Sequence, residues 1–197
     1  MEKTRRCNIA CFDAEFTARS AKDRGIPEMI QCAFLVYNVQ VLENGDIVSI
    51  SPYPINTYRT FVKPIYMRPL SEYIKELTGI KQEDVDNGKK FKEAVDDIWN
   101  LIRLYGIDTI ITWGPDRGMM KKNFAYSDYD RKRVKKILDM FDDISFRVSR
   151  MYGFEYPTKQ SNMCKILNIK QDGNMHDAYD DVMNLAKIIQ AICDSTS

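Results

Sequence analysis

The sequence predicts an α/β fold in which a mixed five-stranded sheet is flanked by helices on both sides. Two observations on the 197-residue chain support this prediction. Its first third holds three segments that are rich in strand-forming residues and separated by turn signals, as in antiparallel hairpins. The rest alternates segments of helical periodicity with short apolar runs, as in strands joined by helices. Ligands of such folds collect at the carboxyl ends of the strands.

The three hairpin-like strands are predicted over residues 7–12, 29–42 and 47–62. The first (C-N-I-A-C-F) is a short apolar run that leads directly into acidic residues, so it is expected to deliver carboxylates at its carboxyl end. The second is rich in β-branched and aromatic side chains and is followed by Asn44-Gly45, a dipeptide typical of a hairpin turn. The third is then expected to return as its partner strand.

The middle of the chain is predicted to contain two helices and one strand. A serine cap and a glycine stop delimit a short helix over residues 72–77, and a polar stretch follows it. Residues 91–105 repeat apolar side chains at helical spacing until Gly106 ends the pattern. Residues 109–113 (T-I-I-T-W) are expected to form a buried strand.

The last third of the chain is predicted to be mainly helical. Helices are expected over residues 119–126, 131–136, 144–152, 161–167 and 178–192. A short edge strand over residues 137–140 follows the second of these helices. The last helix is long and amphipathic, with its apolar residues on one face.

Composition limits the class of protein. With 29 Lys and Arg against 28 Asp and Glu, the net charge of +1 gives no bulk attraction to nucleic acid or membrane. No apolar run reaches the roughly 18 residues that span a bilayer, and no signal-peptide core follows the first residues, which predicts a cytoplasmic protein. The size and the 44% hydrophobic content favour a single domain over residues 1–197. The five cysteines lack a C-x-x-C pair, so reduced core thiols are favoured over a zinc site.

The D-A-E motif places two carboxylates, Asp13 and Glu15, at the end of the first predicted strand. If the strand continues through them, both point to the same face, where they are able to share hard cations. A D-x-E spacing arises about once by chance in a chain of this composition, so its position after an apolar strand matters more than its spacing. The alternative is a solvated strand end, but two such carboxylates repel each other unless a cation compensates.

His176 is the only histidine, and it opens the motif H-D-A-Y-D-D at the start of the last predicted helix. Asp181 projects from the first full turn of that helix, and His176 lies on the entry segment, from which its ring can reach the same site. An imidazole beside acidic residues is the arrangement expected of a general base. Asp177 and Asp180 are explained more simply as acids that favour a helix amino terminus.

Asp116 closes a third motif, T-W-G-P-D, after a predicted strand and a Gly-Pro turn. Its simplest role is that of a helix N-cap, worth about 1 kcal/mol. However, F-D-A-E-F-T, T-W-G-P-D and H-D-A-Y-D-D, in this order and at these separations, resemble the three motifs of the DEDDh family of 3′–5′ exonucleases. Residues 29–37 and 70–85 also resemble segments of that family, so the resemblance covers essentially the whole chain.

The resemblance implies a single 3′–5′ exonuclease domain over residues 1–197 with a ribonuclease H-like fold. It also implies two divalent cations, Mg²⁺ or Mn²⁺, held by four acids, and one general base: Asp13, Glu15, Asp116 and Asp181, with His176 as the base. The expected reaction releases nucleoside 5′-monophosphates from single-stranded 3′ ends. Pro115 departs from the aromatic residue of many relatives, and the T-W-G form resembles the exoribonuclease branch, which favours RNA over DNA.

Phe16 and Leu77 are the candidates for contact with the last bases, because stacking on such side chains contributes about 1 to 3 kcal/mol per base. Ordinary core packing is the alternative for both. The basic run over residues 131–136 is equally compatible with phosphate contacts and with a solvated helix face. Two other functions stay open: a DNA exonuclease of the proofreading or repair type, and a module that binds nucleic acid without cutting it. The sequence predicts no membrane partner and identifies no protein partner.

Overall fold

The computed structural model of the chain describes residues 3–20, 22, 25–171 and 173–196. Within these residues one sheet is formed by six strands: β1 (Thr4–Phe16), β2 (Met29–Leu42), β3 (Ile47–Ile50), β4 (Asn56–Phe61), β5 (Ile110–Thr112) and β6 (Phe141–Asp143). Eight helices are described in the same residues: α1 (Glu72–Thr78), α2 (Gln82–Asp86), α3 (Phe91–Tyr105), α4 (Asp116–Ala125), α5 (Arg131–Asp139), α6 (Ser145–Met151), α7 (Gln160–Ile166) and α8 (Ala178–Thr196). The predicted α/β class is confirmed.

Strand β1 lies at the centre of the sheet. It pairs with β2 in antiparallel register along its whole length and with β5 in parallel register on its other side, and β6 pairs with β5 at the edge. Strands β3 and β4 both pair with β2, beside residues 39–41 and 31–36 respectively. The sheet is therefore mixed and five positions wide, as predicted, with one outer position divided between two strands.

The break between β3 and β4 corrects the single partner strand predicted over residues 47–62. The connecting segment 51–55 (S-P-Y-P-I) contains Pro52 and Pro54, which lack the N–H group that a paired strand donates. Only residues 37 and 38 of β2 separate the parts that pair with β3 and β4. The five residues 51–55 cannot pair in register with only two residues of β2, so the connecting segment leaves the ladder.

Helices cover both faces of the sheet, as predicted. Alternate residues of β1 belong to different layers, because successive side chains of a strand point to opposite faces. Ile9 and Cys11 pack with α8 in one core cluster. Ala10, Phe12 and Ala14 pack with α3, α4 and α5 in a second cluster. A third and smaller cluster lies under α1 and α2, beside the start of β2.

The helix ends follow the capping signals of the sequence. Ser71 caps α1 by accepting a hydrogen bond from the Ile74 N–H, and Gly79 ends that helix in the left-handed conformation. Gly106 ends α3 in the same way, with φ 62°. Helix α2 lies in the polar stretch for which the sequence predicts no element. It is only five residues long and buries Val85, so its apolar signal is too short to recognise.

The edge strand predicted over residues 137–140 is wrong. Helix α5 continues to Asp139 and buries Ile137 and Leu138, and the edge strand β6 follows it. A short apolar run fits a strand as well as a helix, so periodicity within it cannot decide between them. Val134, three and four residues before the buried pair, supplies the helical spacing.

Two further observations concern membrane spans and thiols. None of the helices in the described parts of the chain combines the length and the apolar composition that crossing a bilayer requires. The five cysteines, all within the described residues, form no disulfide, and all except Cys7 are buried. Burial of reduced thiols agrees with the expectation that they serve as small core residues.

Candidate active site

The first strand carries two acidic side chains to one end of the sheet. Strand β1 continues through Asp13 and Glu15, which pair with Ala33 and Gln31 of β2. Because side chains alternate along a strand, both carboxylates lie on the face to which Cys11 belongs, the face that α8 covers. Because the strand continues through the D-A-E motif, both of its acids point toward one site, as expected from the sequence.

Asp116 reaches the same end of the sheet from β5. The chain leaves β5 at Thr112, turns at Gly114 with φ 130°, and enters α4, in whose first turn Asp116 lies. Asp116 is only 6% exposed, and backbone contacts with its own N–H and with Ala14 of the D-A-E motif partly offset the effect of burial on its pKa. The N-cap position belongs to Pro115, so capping does not explain this acid.

His176 and Asp181 approach from the amino terminus of α8. Helix α8 begins at Ala178, and Asp181 lies in its first turn. His176 has a left-handed φ of 65°, and its backbone N–H donates to the Asp181 carboxylate at 3.1 Å. One oxygen of Glu15, one oxygen of Asp181 and one ring nitrogen of His176 lie within 4.8 Å of one another. Two residues of the H-D-A-Y-D-D motif therefore lie beside Glu15 of the D-A-E motif.

The four carboxylates are close enough to influence one another's titration. Burial raises the pKa of Asp13 well above its ordinary value, and the charges of Asp116, Glu15, Asp181 and Asp177 raise it further. Burial, followed by the charges of Asp181 and Asp116, raises the pKa of Glu15 to about 8. Burial raises the pKa of Asp116 to about 7 and that of Asp181 to about 6. Without a positive partner this cluster therefore retains protons near neutral pH.

His176 shifts in the opposite direction. Partial burial of its ring, and then the charge of Lys159, lower the pKa of His176 below its ordinary value. The imidazole is therefore largely neutral at pH 7 and able to accept a proton. The residue as a whole is exposed, so water has access to it. A neutral, solvent-accessible imidazole beside acidic groups has the properties of a general base.

Gln31 of β2 is a buried polar residue beside the site that no sequence motif indicates. Its side-chain N–H donates to the Asp177 carboxylate at 3.0 Å, and its side-chain oxygen accepts from the Ala178 N–H at 3.0 Å. The other oxygen of Asp177 caps α8 by accepting from Tyr179 and Asp180 at 3.0 and 3.3 Å. The start of α8 is thereby fixed against β2. The signal available in the sequence is one amide inside the apolar residues 29–37 of β2.

The two candidates for base contacts pack against different apolar clusters. Phe16 packs on the α3 side of the sheet, opposite the face of Glu15, and Leu77 packs against the third cluster under α1. Both side chains are partly exposed. Their packing against apolar clusters agrees with the core-packing alternative, and their contact with bases stays a prediction.

The basic run over residues 131–136 lies on α5. Arg133 pairs with Asp96 at 3.1 Å and lies over the ring of Trp99, and Lys135 pairs with Asp139. Two of the five basic side chains of this run therefore pair with acids on the same surface, as in a solvated helix face.

Comparison with known proteins supports the resemblance to an exonuclease family. The sequence model of the exonuclease family (RNase_T) matches residues 10–189. ERI1 exoribonuclease 2 of Xenopus laevis is 26% identical over 206 aligned residues, which cover 94% of this chain and 28% of the relative. The 3′-5′ exoribonuclease 1 of Homo sapiens is 24% identical over 188 aligned residues, which cover 91% of this chain and 50% of the relative.

A solved structure extends the comparison to the fold. The nuclease domain of 3′hExo, a DEDDh family member bound to rAMP, matches with a TM-score of 0.71 at 22% identity, over 95% of this chain and 92% of that chain. This likeness supports the ribonuclease H-like exonuclease fold that the sequence resemblance implies. The chain spans half or less of the length of the two curated relatives, so their activities are those of longer proteins.

Proposed function

The chain belongs to the exonuclease family (RNase_T), with a ribonuclease H-like fold of the DEDDh type, and on this premise we propose that it is a metal-dependent 3′–5′ exonuclease. The observation that carries the proposal is the meeting of four acids and one imidazole at one end of the sheet: Asp13, Glu15, Asp116, Asp181 and His176. We further propose that residues 1–197 form a single exonuclease domain. It releases nucleoside 5′-monophosphates from single-stranded 3′ ends and cuts RNA faster than DNA.

The donor set of the site fits hard divalent cations. Carboxylate oxygens, which Asp13, Glu15, Asp116 and Asp181 provide, are the ligands that Mg²⁺ and Mn²⁺ prefer. The raised pKa values of these acids reflect burial and mutual repulsion, and positive charge between them would offset both. A pair of such ions, when bound, stabilises the charge that develops on the phosphate and favours ionisation of the attacking water.

His176 is proposed as the general base. Its ring lies near Glu15 and Asp181, is accessible to water and is neutral at pH 7. The imidazole takes a proton from the attacking water as the water oxygen bonds to phosphorus. The bond between phosphorus and the 3′ oxygen then breaks. The 3′ oxygen takes up a proton from a water molecule, so the shortened strand leaves with a 3′ hydroxyl, and the terminal nucleotide leaves as a 5′-monophosphate.

The preference for RNA rests on relatives and on one motif. The Xenopus laevis and human relatives are named exoribonucleases, and the T-W-G-P-D form of the second motif resembles that branch. Phe16 and Leu77 are proposed to contact the terminal bases. Both are apolar and cannot hydrogen-bond the 2′-hydroxyl, which is the group that distinguishes RNA from DNA. A direct comparison of the two nucleic acids is therefore the decisive measurement.

A cleavage assay tests the proposal. The purified protein is incubated with a 5′-labelled single-stranded RNA, or with DNA of the same sequence, in Mn²⁺, Mg²⁺ or EDTA. We expect a ladder of strands shortened from the 3′ end that requires metal and forms faster on RNA. His176→Ala is expected to lower the rate about a hundredfold to ten-thousandfold, the usual contribution of a general base. Asp194→Asn changes an acid at the far end of α8 and is the matched control, expected to cut normally.

The other outcomes of the assay have defined meanings. Faster cutting of DNA assigns the protein to the DNA-directed type of exonuclease. Binding of RNA without shortening in any metal identifies a nucleic-acid-binding module in place of an enzyme. If His176→Ala cuts at the wild-type rate, the exonuclease assignment stands, but His176 is not the general base.

A further inference from the structure

A cavity of about 460 Å³ lies beyond the end of β1, on the α3 and α4 side of the sheet. Its volume is within the range of about 300 to 1000 Å³ that is typical of ligand sites. Its walls come from the start of β2, the segment 62–68, the start of α3 and the end of α4. None of the five residues proposed for catalysis lines it, so the cavity is separate from the candidate active site.

Two buried polar side chains hold the walls of this cavity. Glu28 is 8% exposed, and its carboxylate accepts hydrogen bonds from the successive N–H groups of Ile65, Tyr66 and Met67 at 2.5 to 2.9 Å. Asn123 of α4 accepts from one backbone N–H and donates to one backbone carbonyl at the entry to β2, at 2.9 and 2.8 Å. Both side chains bind the main chain, so the cavity is preformed and does not depend on a ligand for its shape.

The rim of the cavity combines exposed aromatic rings with cations. Tyr66 is 64% exposed and Tyr126 is 51% exposed, and their ring centroids lie 6.3 Å apart in an edge-to-face arrangement. Among the described residues, four basic side chains belong to the lining: Lys63, Arg68, Lys90 and Lys92. The acidic residues of the lining are Glu28, which already binds the main chain, and Asp128. Exposed aromatic rings within an excess of positive charge are the combination that binds single-stranded nucleic acid.

The cavity adjoins the strand end that carries the carboxylates. Met29, which lines the cavity, pairs with Phe16, the residue that follows Glu15. Thr17 donates its N–H to the Glu28 carbonyl at 2.8 Å, and the Thr17 hydroxyl accepts from the Glu28 N–H at 2.9 Å. At about 3.3 Å per residue, the wall at Glu28 begins about 7 Å beyond Glu15 along the strand direction. The carboxylates lie on the α8 side of the sheet and the cavity lies on the α3 and α4 side, so a nucleic-acid strand that ends at the carboxylates would pass the end of β1 to enter the cavity.

We propose that this cavity binds the part of a single-stranded nucleic acid that precedes its 3′ end. Its bases stack on Tyr66 and Tyr126, and its phosphates contact the basic rim. The proposal rests on the proposed exonuclease function, because that function places the 3′ end at the carboxylates. Its consequence is a dependence of binding on length, since a strand too short to reach the cavity loses these contacts.

RNAs of two lengths distinguish the contribution of the cavity from that of the catalytic end. Binding of a fluorescein-labelled twelve-nucleotide RNA is measured in EDTA by fluorescence anisotropy, and cleavage of this RNA and of a dinucleotide is measured in Mn²⁺. The double variant Tyr66→Ala, Tyr126→Ala is expected to bind the long RNA about tenfold more weakly or worse. Its kcat/KM is expected to fall by a larger factor on the long RNA than on the dinucleotide. Tyr53→Ala removes a tyrosine that is 77% exposed outside the cavity and is expected to match the wild type.

Lys90→Gln tests the electrostatic part of the proposal without changing the rings. The slope of log Kd against log salt concentration is expected to become shallower by about 0.7, the value for one lost phosphate contact on a single strand. Lys90 is chosen because Lys92 also pairs with Asp96. The side chains changed in these variants are exposed, and thermal unfolding of each variant verifies that it is folded.

The outcomes distinguish failure of this proposal from failure of the proposed function. Unchanged binding of the long RNA by the double variant overturns the proposal, and so does an equal loss of kcat/KM on both lengths. A wild-type protein that binds the RNA but shortens no strand contradicts the proposed function alone. The anisotropy comparison of the double variant with Tyr53→Ala then still decides whether the cavity binds nucleic acid.

Discussion

Glu28 and Glu15 are both acids near the end of the β1–β2 ladder, and their surroundings differ in a way that separates a structural carboxylate from a functional one. Glu28 is satisfied by the chain itself, through three main-chain N–H donors. Glu15 faces other acids, and burial together with the charges of Asp181 and Asp116 raises its pKa to about 8. The chain compensates the first charge, whereas the second is neutralised by a bound proton or, under the proposed function, by a cation. Neutralising the two acids should therefore have opposite effects on stability.

The largest expected effect is on catalysis and concerns Asp13, whose pKa responds to all three other acids of the cluster. Asp13→Asn is expected to lower kcat at least about a thousandfold, or ~4 kcal/mol, because an amide is a far weaker ligand for divalent cations than a carboxylate. The metal-free variant is expected to be more stable than the wild type at pH 8, because the wild type must either bear a buried, repelled charge at this position or take up a proton. Single-turnover cleavage and urea unfolding in EDTA measure the two effects. A loss of activity with lower stability would instead make Asp13 a support of the fold.

The next effect is a pH dependence of stability in the absence of metal. The folded-state pKa values of Glu15, Asp116 and Asp181 are about 8, 7 and 6, above the values near 4 expected of unfolded carboxylates. The folded state therefore binds more protons than the unfolded state between about pH 4 and pH 8, so these groups lower the free energy of unfolding as the pH rises through that window. At about 1.4 kcal/mol per pKa unit, the shift of each group corresponds to an effect on the order of a few kcal/mol.

Glu15→Gln isolates this contribution from the other titrating groups of the protein. In EDTA the variant is expected to be more stable than the wild type at pH 8 and nearly equal to it at pH 5, where Glu15 is already protonated in the folded state. Addition of Mg²⁺ at pH 8 is expected to stabilise the wild type more than the variant. Urea unfolding at both pH values provides the measurement. If the free energies of unfolding of the wild type and the variant differed by the same amount at pH 5 and pH 8, the raised pKa of Glu15 would be contradicted.

Glu28→Gln supplies the other half of the comparison. The amide keeps only one accepting oxygen and turns an NH₂ group toward N–H donors, so main-chain groups of the segment 65–67 lose their partners. The free energy of unfolding is expected to fall by about 1 to 3 kcal/mol, with or without Mg²⁺. Glu76→Gln, at an exposed position of α1, is the control and is expected to change little. If Glu28→Gln raised the stability in EDTA, Glu28 would belong with the acidic cluster.

Glu15 and Glu28 also differ in how readily their roles can be predicted from the sequence. The acids and the histidine of the candidate site stand in short motifs at a strand end and at helix starts, so local patterns are enough to select them. Gln31 and Glu28 act through partners 146 and 37 positions away in the chain. Whether a buried polar residue finds a partner is decided by tertiary contacts, which no local pattern contains. The chemical groups are therefore predictable, and the side chains that hold them are not.

The fold shows the same limit. The extent of β2 and α3 agrees with the predicted ranges, because each has a long and regular apolar pattern. The division of β3 from β4 depends on which residues of β2 remain available for pairing, and the end of α5 depends on which layer receives Ile137. Periodicity predicts the elements, whereas their ends depend on neighbours that are distant in sequence.

The smallest expected effect concerns Gln31, the neutral residue that holds the start of α8. Gln31→Met keeps the approximate size of the side chain and loses the hydrogen bonds to Asp177 and Ala178. We expect kcat to fall about tenfold, or ~1.4 kcal/mol, because the turn that carries Asp181 and follows His176 is less firmly positioned. KM is expected to change little, since Gln31 is buried and acts through α8. Rates on one RNA with saturating Mn²⁺ measure both constants.

Gln31→Glu distinguishes positioning from simple packing. The introduced carboxylate, when ionised, would still accept from the Ala178 N–H but would repel the Asp177 carboxylate, whereas its protonated form would donate to Asp177 again. Burial beside another carboxylate raises the pKa of such a group, so protonation is expected within the working range of the assay. The activity of this variant relative to the wild type at the same pH is therefore expected to recover as the pH falls from 8 to 6. The relative activity of Gln31→Met has no such reason to change. If both variants kept the same fraction of wild-type activity at every pH, the hydrogen bond to Asp177 would have no part in catalysis, and Gln31 would contribute only its volume.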